Sequence, residues 1–271
     1  MKFTLLTLIV VILFSGCNLR KPPETLDQDL VYDEIPLYED NTSFAPYDYT
    51  QFQPVLDQSK LQVYHEDAVG YGDFADKKFP QFYADINQDL HFVIDKKANT
   101  LKVRSELREG PNSWSTADTE GHFWVATLRC LKPKVGITSY TWMQVHGTSD
   151  SYNYPILRLL WIRDREGVYD HIWAIVIVSD PDTPKIYEYI DLGPRPDDFF
   201  SAEVHVKNNI LDILINHKLK RTINVTYWED VQNYFKAGVY IDRYSDGGAV
   251  SAIFQDLHFY DDSSKVVLAH H

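Results

Sequence analysis

Polar and apolar residues alternate one for one through much of this chain, which is the side-chain period of a β-strand. Three segments show it most clearly: Leu101–Glu109, Tyr140–Gly147 and Tyr234–Asp242. In the first, Leu101, Val103, Ser105 and Leu107 occupy one face, and Lys102, Arg104, Glu106 and Arg108 the other. In the second, Thr141, Met143 and Val145 back a row of Tyr140, Trp142, Gln144 and His146. In the third, Phe235, Ala237, Val239 and Ile241 back Tyr234, Lys236, Gly238, Tyr240 and Asp242. The apolar rows predict a core. The opposite rows predict a surface bearing cations, an amide, an imidazole and a phenol, an inventory suited to holding an acidic polymer and removing a proton from it. Gly238 would leave an open spot between Lys236 and Tyr240.

Further strands are predicted at Leu90–Asp95, His122–Leu128, Ile156–Trp161, Ile172–Val178, Ile186–Asp191, Ala202–Lys207 and Ile210–Asn216, with Val250–Tyr260 closing the set. Asn208-Asn209 suits a hairpin turn. Helical signals are confined to Pro54–Ser59 and Tyr227–Asn233. So many short strands with so little helix predict an all-β fold, a jelly-roll sandwich of two antiparallel sheets.

Composition sharpens this picture at three points. Aromatics make up 14% of residues, with 18 Tyr and 6 Trp, which fits β-structure and stacking against sugar rings. A formal net charge of -13 argues against a nucleic-acid partner, although a local basic strip still attracts anions at close range. The N-terminus reads as an export signal. Lys2 precedes the apolar run Leu5–Phe14, then Ser15-Gly16-Cys17. That run is short for a membrane span, and small residues before a cysteine predict lipidation at Cys17. The expected organisation is therefore a signal over 1–17, a flexible tether over 18–43 and one catalytic β-domain over 44–271. The expected location is the outer membrane or cell surface as a lipoprotein, otherwise the periplasm or medium, with membrane contact only through the lipid. A monomer is expected. Cys130 is then left alone and reads as an inert buried thiol, and no clustered ligand pattern calls for a metal or cofactor.

Taken singly, the Arg104-Glu106-Arg108 row, Gln144-x-His146 and Lys236-x-Gly238-x-Tyr240 are each compatible with an ordinary half-exposed strand. Together, and in this order, Arg104-Ser105-Glu106-Leu107-Arg108-Glu109, Gln144-Val145-His146 and Tyr234-Phe235-Lys236-Ala237-Gly238-Val239-Tyr240 resemble alginate lyases of polysaccharide lyase family 7. The resemblance extends over Phe44 to Tyr260. It implies a jelly roll with a groove across one concave sheet, and β-elimination on a 4-linked uronate polymer. It implies Arg104 and Gln144 as neutralisers of the substrate carboxylate, and His146 and Tyr240 as the base and acid. For guluronate, whose C5 proton and leaving oxygen lie on opposite faces, His146 would be base and Tyr240 acid. For mannuronate, Tyr240 would do both, with Arg104 or Lys236 favouring its phenolate. Arg108 and Lys236 then become binding residues for neighbouring carboxylates, Glu106 an orienter, and Tyr234 and Trp142 aromatic contacts for sugar. Val145, where the family also uses Ile, leans the expectation toward mannuronate-rich blocks; Asp242 stands where Gln is frequent.

Two rival readings share the inventory. A lyase on another polyuronate such as glucuronan would use the same chemistry. A non-catalytic carbohydrate-binding jelly roll would have no need of His146 and Tyr240 together. A hydrolase would need facing carboxylates, and no strand motif supplies that pair. The loops Gly110–Thr119, Asp180–Pro184 and Tyr244–Ala249 are the candidates for closing over a groove.

Overall fold

The computed structural model describes residues 32–134, 136–148 and 152–268. The expected signal, Cys17, most of the tether, and His270 and His271 lie outside the described residues. In chain order the strands are β1 Ser59–Val63, β2 Glu66–Val69, β3 Phe82–Ala84, β4 Leu90–Lys96, β5 Val103–Glu109, β6 His122–Cys130, β7 Ser139–Gly147 and β8 Pro155–Arg165. There follow β9 Val168–Ile177, β10 Tyr187–Pro194, β11 Phe200–Lys207, β12 Ile210–Ile215, β13 Lys218–Asn224, β14 Asn233–Ile241 and β15 Gly248–Tyr260. Two short helices, Gln53–Asp57 and Ser263–Leu268, flank them.

The strands form two antiparallel sheets. One has eight strands in the order β10-β9-β8-β7-β14-β5-β1-β2; the other has seven in the order β13-β12-β11-β6-β15-β4-β3. Their facing sides enclose a continuous core that includes Trp124, Trp161, Phe92, Phe254, Leu107 and Val239. The all-β sandwich is as the alternation predicts. β1, β2, β3 and β13 were not visible in it. Three of these four are sheet edges. β13 is exposed at every residue but Ile223, and β2 buries only Val69. Backbone pairing to a neighbour holds such strands, so their side chains need carry no apolar period.

The eight-stranded sheet brings β7, β14 and β5 side by side in its middle, although they lie far apart in sequence. On the β14–β5 pair the register sets Lys236 opposite Arg108, Gly238 opposite Glu106 and Tyr240 opposite Arg104. On the β14–β7 pair it sets Lys236 opposite Gln144 and Tyr234 opposite His146. Residues 32–43, expected as the end of a tether, are tied to the body. The Asp33 carboxylate accepts from the backbone N–H of Lys132 at 2.7 Å and pairs with Arg129 at 3.3 Å. Cys130 is buried and free, its thiol pushed up to about 12 by burial.

Candidate active site

Strand parity carries the polar row of β5 outward while Val103, Ser105 and Leu107 pack inward. Arg104, Gln144, His146 and Tyr240, from three strands, line one cavity on the outer face of the eight-stranded sheet. Lys236 forms part of its floor and Lys102 stands at its rim. Residues that the motif reading did not single out complete it: Arg158 from β8, Ile175 and Ile177 from β9, Tyr187 from β10, and the segment Asn153-Tyr154-Pro155. Among the described residues, no carboxylate lines the cavity. Of the loops expected to close over the groove, Asp180–Pro184 touches this wall, because the Tyr154 hydroxyl donates to the Pro181 carbonyl at 3.3 Å.

Beneath the cavity lies a buried polar network. Glu106 and Lys236 are each 1% exposed, and the ammonium donates to the Glu106 carboxylate at 2.7 Å. The Gln144 amide nitrogen donates to the other carboxylate oxygen, and Arg104 Nε lies 3.8 Å from the first. Burial pulls the Lys236 ammonium down to about 8; Glu106 resists this, and Arg104 adds to it. Lys236 is therefore a strut under the site, committed to Glu106, rather than the open carboxylate-binding residue expected. Glu106 fits the orienting role, because it fixes the Gln144 amide. Arg104 also donates to Gln62 Oε1 at 3.3 Å.

His146 Nδ1 lies 2.7 Å from the Gly147 carbonyl. A carbonyl only accepts, so Nδ1 carries the proton and Nε2 keeps its lone pair. The Tyr234 hydroxyl sits 3.1 Å from the same Nδ1 and its ring stacks on the imidazole. Burial first, then the charges of Lys236, Arg104 and Arg108, pull His146 down to about 3. Tyr234 is buried, pushed up to about 12 by burial, and capped by the Arg108 guanidinium 4.2 Å from its ring centre. Both residues sit beside the cavity and neither lines it; Tyr234 holds His146, and Arg108 holds Tyr234.

Three expectations are corrected. Trp142 does not face the groove. Thr141 pairs with Leu160 and Met143 with Leu159, so Trp142 is an extra residue with no partner on β8. That β-bulge breaks the alternation, and Trp142 and Tyr140 both turn into the core. The Trp142 ring packs 5.9 Å from Trp124 and 6.1 Å from Phe200, and the Tyr140 hydroxyl donates to the Leu131 carbonyl. Secondly, Gly238 leaves no open spot. With φ at +137° its missing Cβ would meet the Ser105 carbonyl oxygen and the Phe92 ring, so the position is filled by β5 and the core. Thirdly, Tyr240 is not biased to phenolate. Burial raises its pKa, and the opposing pull of Arg104, 5.4 Å from the ring centre, is the smaller effect.

The arrangement is a cationic, imidazole- and phenol-bearing cavity in which a neutral imidazole and a protonated phenol face one space. That combination can take a proton from one side of a bound ring and return one to a leaving oxygen. Comparison with known proteins agrees. The sequence profile of the family described as alginate lyase matches residues 47–261. An alginate lyase from Photobacterium sp. is 31% identical over 259 residues, covering 79% of this chain and 87% of the relative. Among solved structures, alginate lyase AlyC3 superposes with a TM-score of 0.71 at 24% identity, covering 84% of this chain and 99% of that one. Alginate lyase A1-II', a member of polysaccharide lyase family 7, superposes with a TM-score of 0.62 at 21% identity, covering 78% and 97%. These two likenesses concern the fold.

Proposed function

The chain belongs to the alginate lyases of polysaccharide lyase family 7, and from that premise we propose that Arg104, Gln144, His146 and Tyr240 carry its reaction. It is a polysaccharide lyase that cleaves alginate. β-Elimination removes the C5 proton, forms the C4–C5 double bond from the released electron pair, and expels the glycosidic oxygen at C4. The barrier lies in making a carbanion beside a carboxylate that is already negative. Arg104 and the free N–H of Gln144 neutralise that carboxylate and let charge develop on it. Neutral His146 takes the C5 proton at Nε2, and Tyr240 donates its phenolic proton to the leaving oxygen.

His146 is a weak base in the free protein because it is buried and, secondly, because three cations act on it. A bound uronate brings carboxylates to those same cations, which raises the imidazole toward working range as substrate binds. Where the proton and leaving oxygen lie on one face, as in mannuronate, Tyr240 serves as both base and acid and must first lose its proton. The leaning to mannuronate-rich blocks rests on Val145, which is fully buried behind Gln144 and His146 and acts only through packing.

The observation that carries this reading is the cavity itself: imidazole, phenol, amide and guanidinium converge, and no carboxylate among the described residues lines it. Hydrolysis through paired acids finds no such pair among the described residues there. The test is ultraviolet absorbance of the protein with polymannuronate, polyguluronate and glucuronan in parallel. A rise marks the conjugated double bond that only elimination creates. Tyr240→Phe is expected to abolish that rise while polymer binding persists, and near-normal turnover would remove Tyr240 from the mechanism. We also propose export and lipidation at Cys17. The mass of the mature N-terminal peptide would decide this, since an unmodified Met1 would refute it.

A further inference from the structure

Two cations of the cavity make no hydrogen bond or ion pair among the described residues: Lys102, exposed at the rim, and Arg158, half-buried on the floor. The other two are engaged: Lys236 is held by Glu106 at 2.7 Å and Arg104 by Gln62 at 3.3 Å. Arg108, beside the cavity, lies over the Tyr234 ring at 4.2 Å. Arg158 stands directly opposite Gln144 on one side and Ile175 on the other. It therefore continues the cross-strand row that runs through Gln144, Lys236 and Arg108. Strands lie about 4.8 Å apart, so Arg158 is displaced from Gln144 by about the length of one sugar ring, toward Ile175 and Tyr187.

An arginine on a concave floor, with an apolar neighbour and no ion pair among the described residues, holds its planar fork of donors open for a ligand. We propose that Arg158 binds the carboxylate of the uronate next to the one that loses its proton. This rests on the elimination reading above. Arg158 fixes the polymer so that the reacting ring is presented to Gln144 and His146. Ile175 offers no hydrogen bond, which confines this anion contact to the Arg158 side of the row. Its charge also opposes the rise in the Tyr240 pKa, a secondary effect of the same placement.

The test is steady-state kinetics of the whole protein and of Arg158→Gln and Arg158→Lys on uronate oligomers, with urea unfolding to establish that each variant is folded. Arg158→Gln is expected to raise KM about tenfold or more, the loss of one charge-assisted hydrogen bond, with kcat within about threefold. Arg158→Lys should restore part of the loss, because a point charge replaces the fork. Added salt should raise KM less steeply in Arg158→Gln than in the parent protein. An unchanged KM in Arg158→Gln, or a fall in kcat alone, would overturn the assignment. If Arg158→Gln does not fold, Arg158→Lys decides: a KM equal to the parent's overturns it and a raised KM supports it. An inactive parent protein would sink the lyase reading instead. Direct titration of a uronate oligomer would then judge Arg158 by itself, a tenfold loss of affinity supporting it and no loss refuting it.

Discussion

Glu106→Gln isolates the network under the site, and its cost can be worked from the structure. The substitution keeps the shape and removes the negative charge that faces the Lys236 ammonium at 2.7 Å, where both side chains are 2% exposed. Removing one partner of a buried pair ordinarily costs about 3–5 kcal/mol. Lys236 has an escape, because it already titrates near 8. Without Glu106 it can release its proton, and doing so one unit below its pKa costs about 1 kcal/mol at pH 7. The lost charged hydrogen bond adds about 1–3 kcal/mol. The expected destabilisation is therefore about 2–4 kcal/mol at pH 7. The sign of the pH effect follows from linkage. The folded pKa of Lys236 lies below its ordinary 10.5, so its cost to the fold is fully present below about 8 and is relieved as pH rises toward 10.5. At pH 9 the parent ammonium has largely deprotonated as well, and the charge part of the difference should shrink by about 1 kcal/mol. Urea unfolding followed by tryptophan fluorescence at the two pH values reads both numbers. A loss under about 1 kcal/mol at pH 7, or a larger loss at pH 9 than at pH 7, would refute the reasoning. Activity should fall as well, since Gln144 loses the acceptor that orients its amide.

Three further outcomes are expected. On polyguluronate, where His146 is the base, kcat/KM should show no acid limb near the ordinary histidine value, because the imidazole sits near 3. On polymannuronate it should climb with pH, about tenfold per unit below the raised Tyr240 pKa, so identical profiles on the two blocks would contradict the division of roles. Gly238→Ala should destabilise by about 3 kcal/mol or more, since the added Cβ meets the Ser105 carbonyl at an unfavourable φ; a urea midpoint equal to the parent's would show the close approach to be wrong. Trp142→Ala should cost about 3–5 kcal/mol as a core cavity and leave KM for oligouronates within about twofold, whereas a stable variant with a selective KM defect would return Trp142 to the groove.

Much of the site was legible before any fold was known, because period two is a local property of a strand. It needs no partner to place Arg104, Glu106 and Arg108 on one face with Leu107 behind. The same rule failed at Trp142, where it assumes that every residue has a partner on the next strand. The bulge opposite Leu159 and Leu160 depends on how β7 meets β8, and nothing local to Tyr140–Gly147 announces it. Arg158 was missed for a related reason. Its neighbours Leu157 and Leu159 read as plain core strand, and its importance comes only from standing opposite Gln144. β13 escaped because an edge strand is held by its backbone, with five successive exposed residues from Lys218 to Thr222.

The amino-acid order by itself determined the all-β class, the outward rows of β5 and β14, and the family that these rows identify, because alternation and short motifs are carried by neighbours in the chain. Tertiary structure alone decided which charges are spent and which are free. Sheet pairing buries Lys236 against Glu106, lays Arg108 over Tyr234, drives His146 down to about 3 and leaves Arg158 without a counter-charge among the described residues. Burial and electrostatic pairing are set by what the register of non-adjacent strands brings within a few ångströms, and no local pattern encodes that distance.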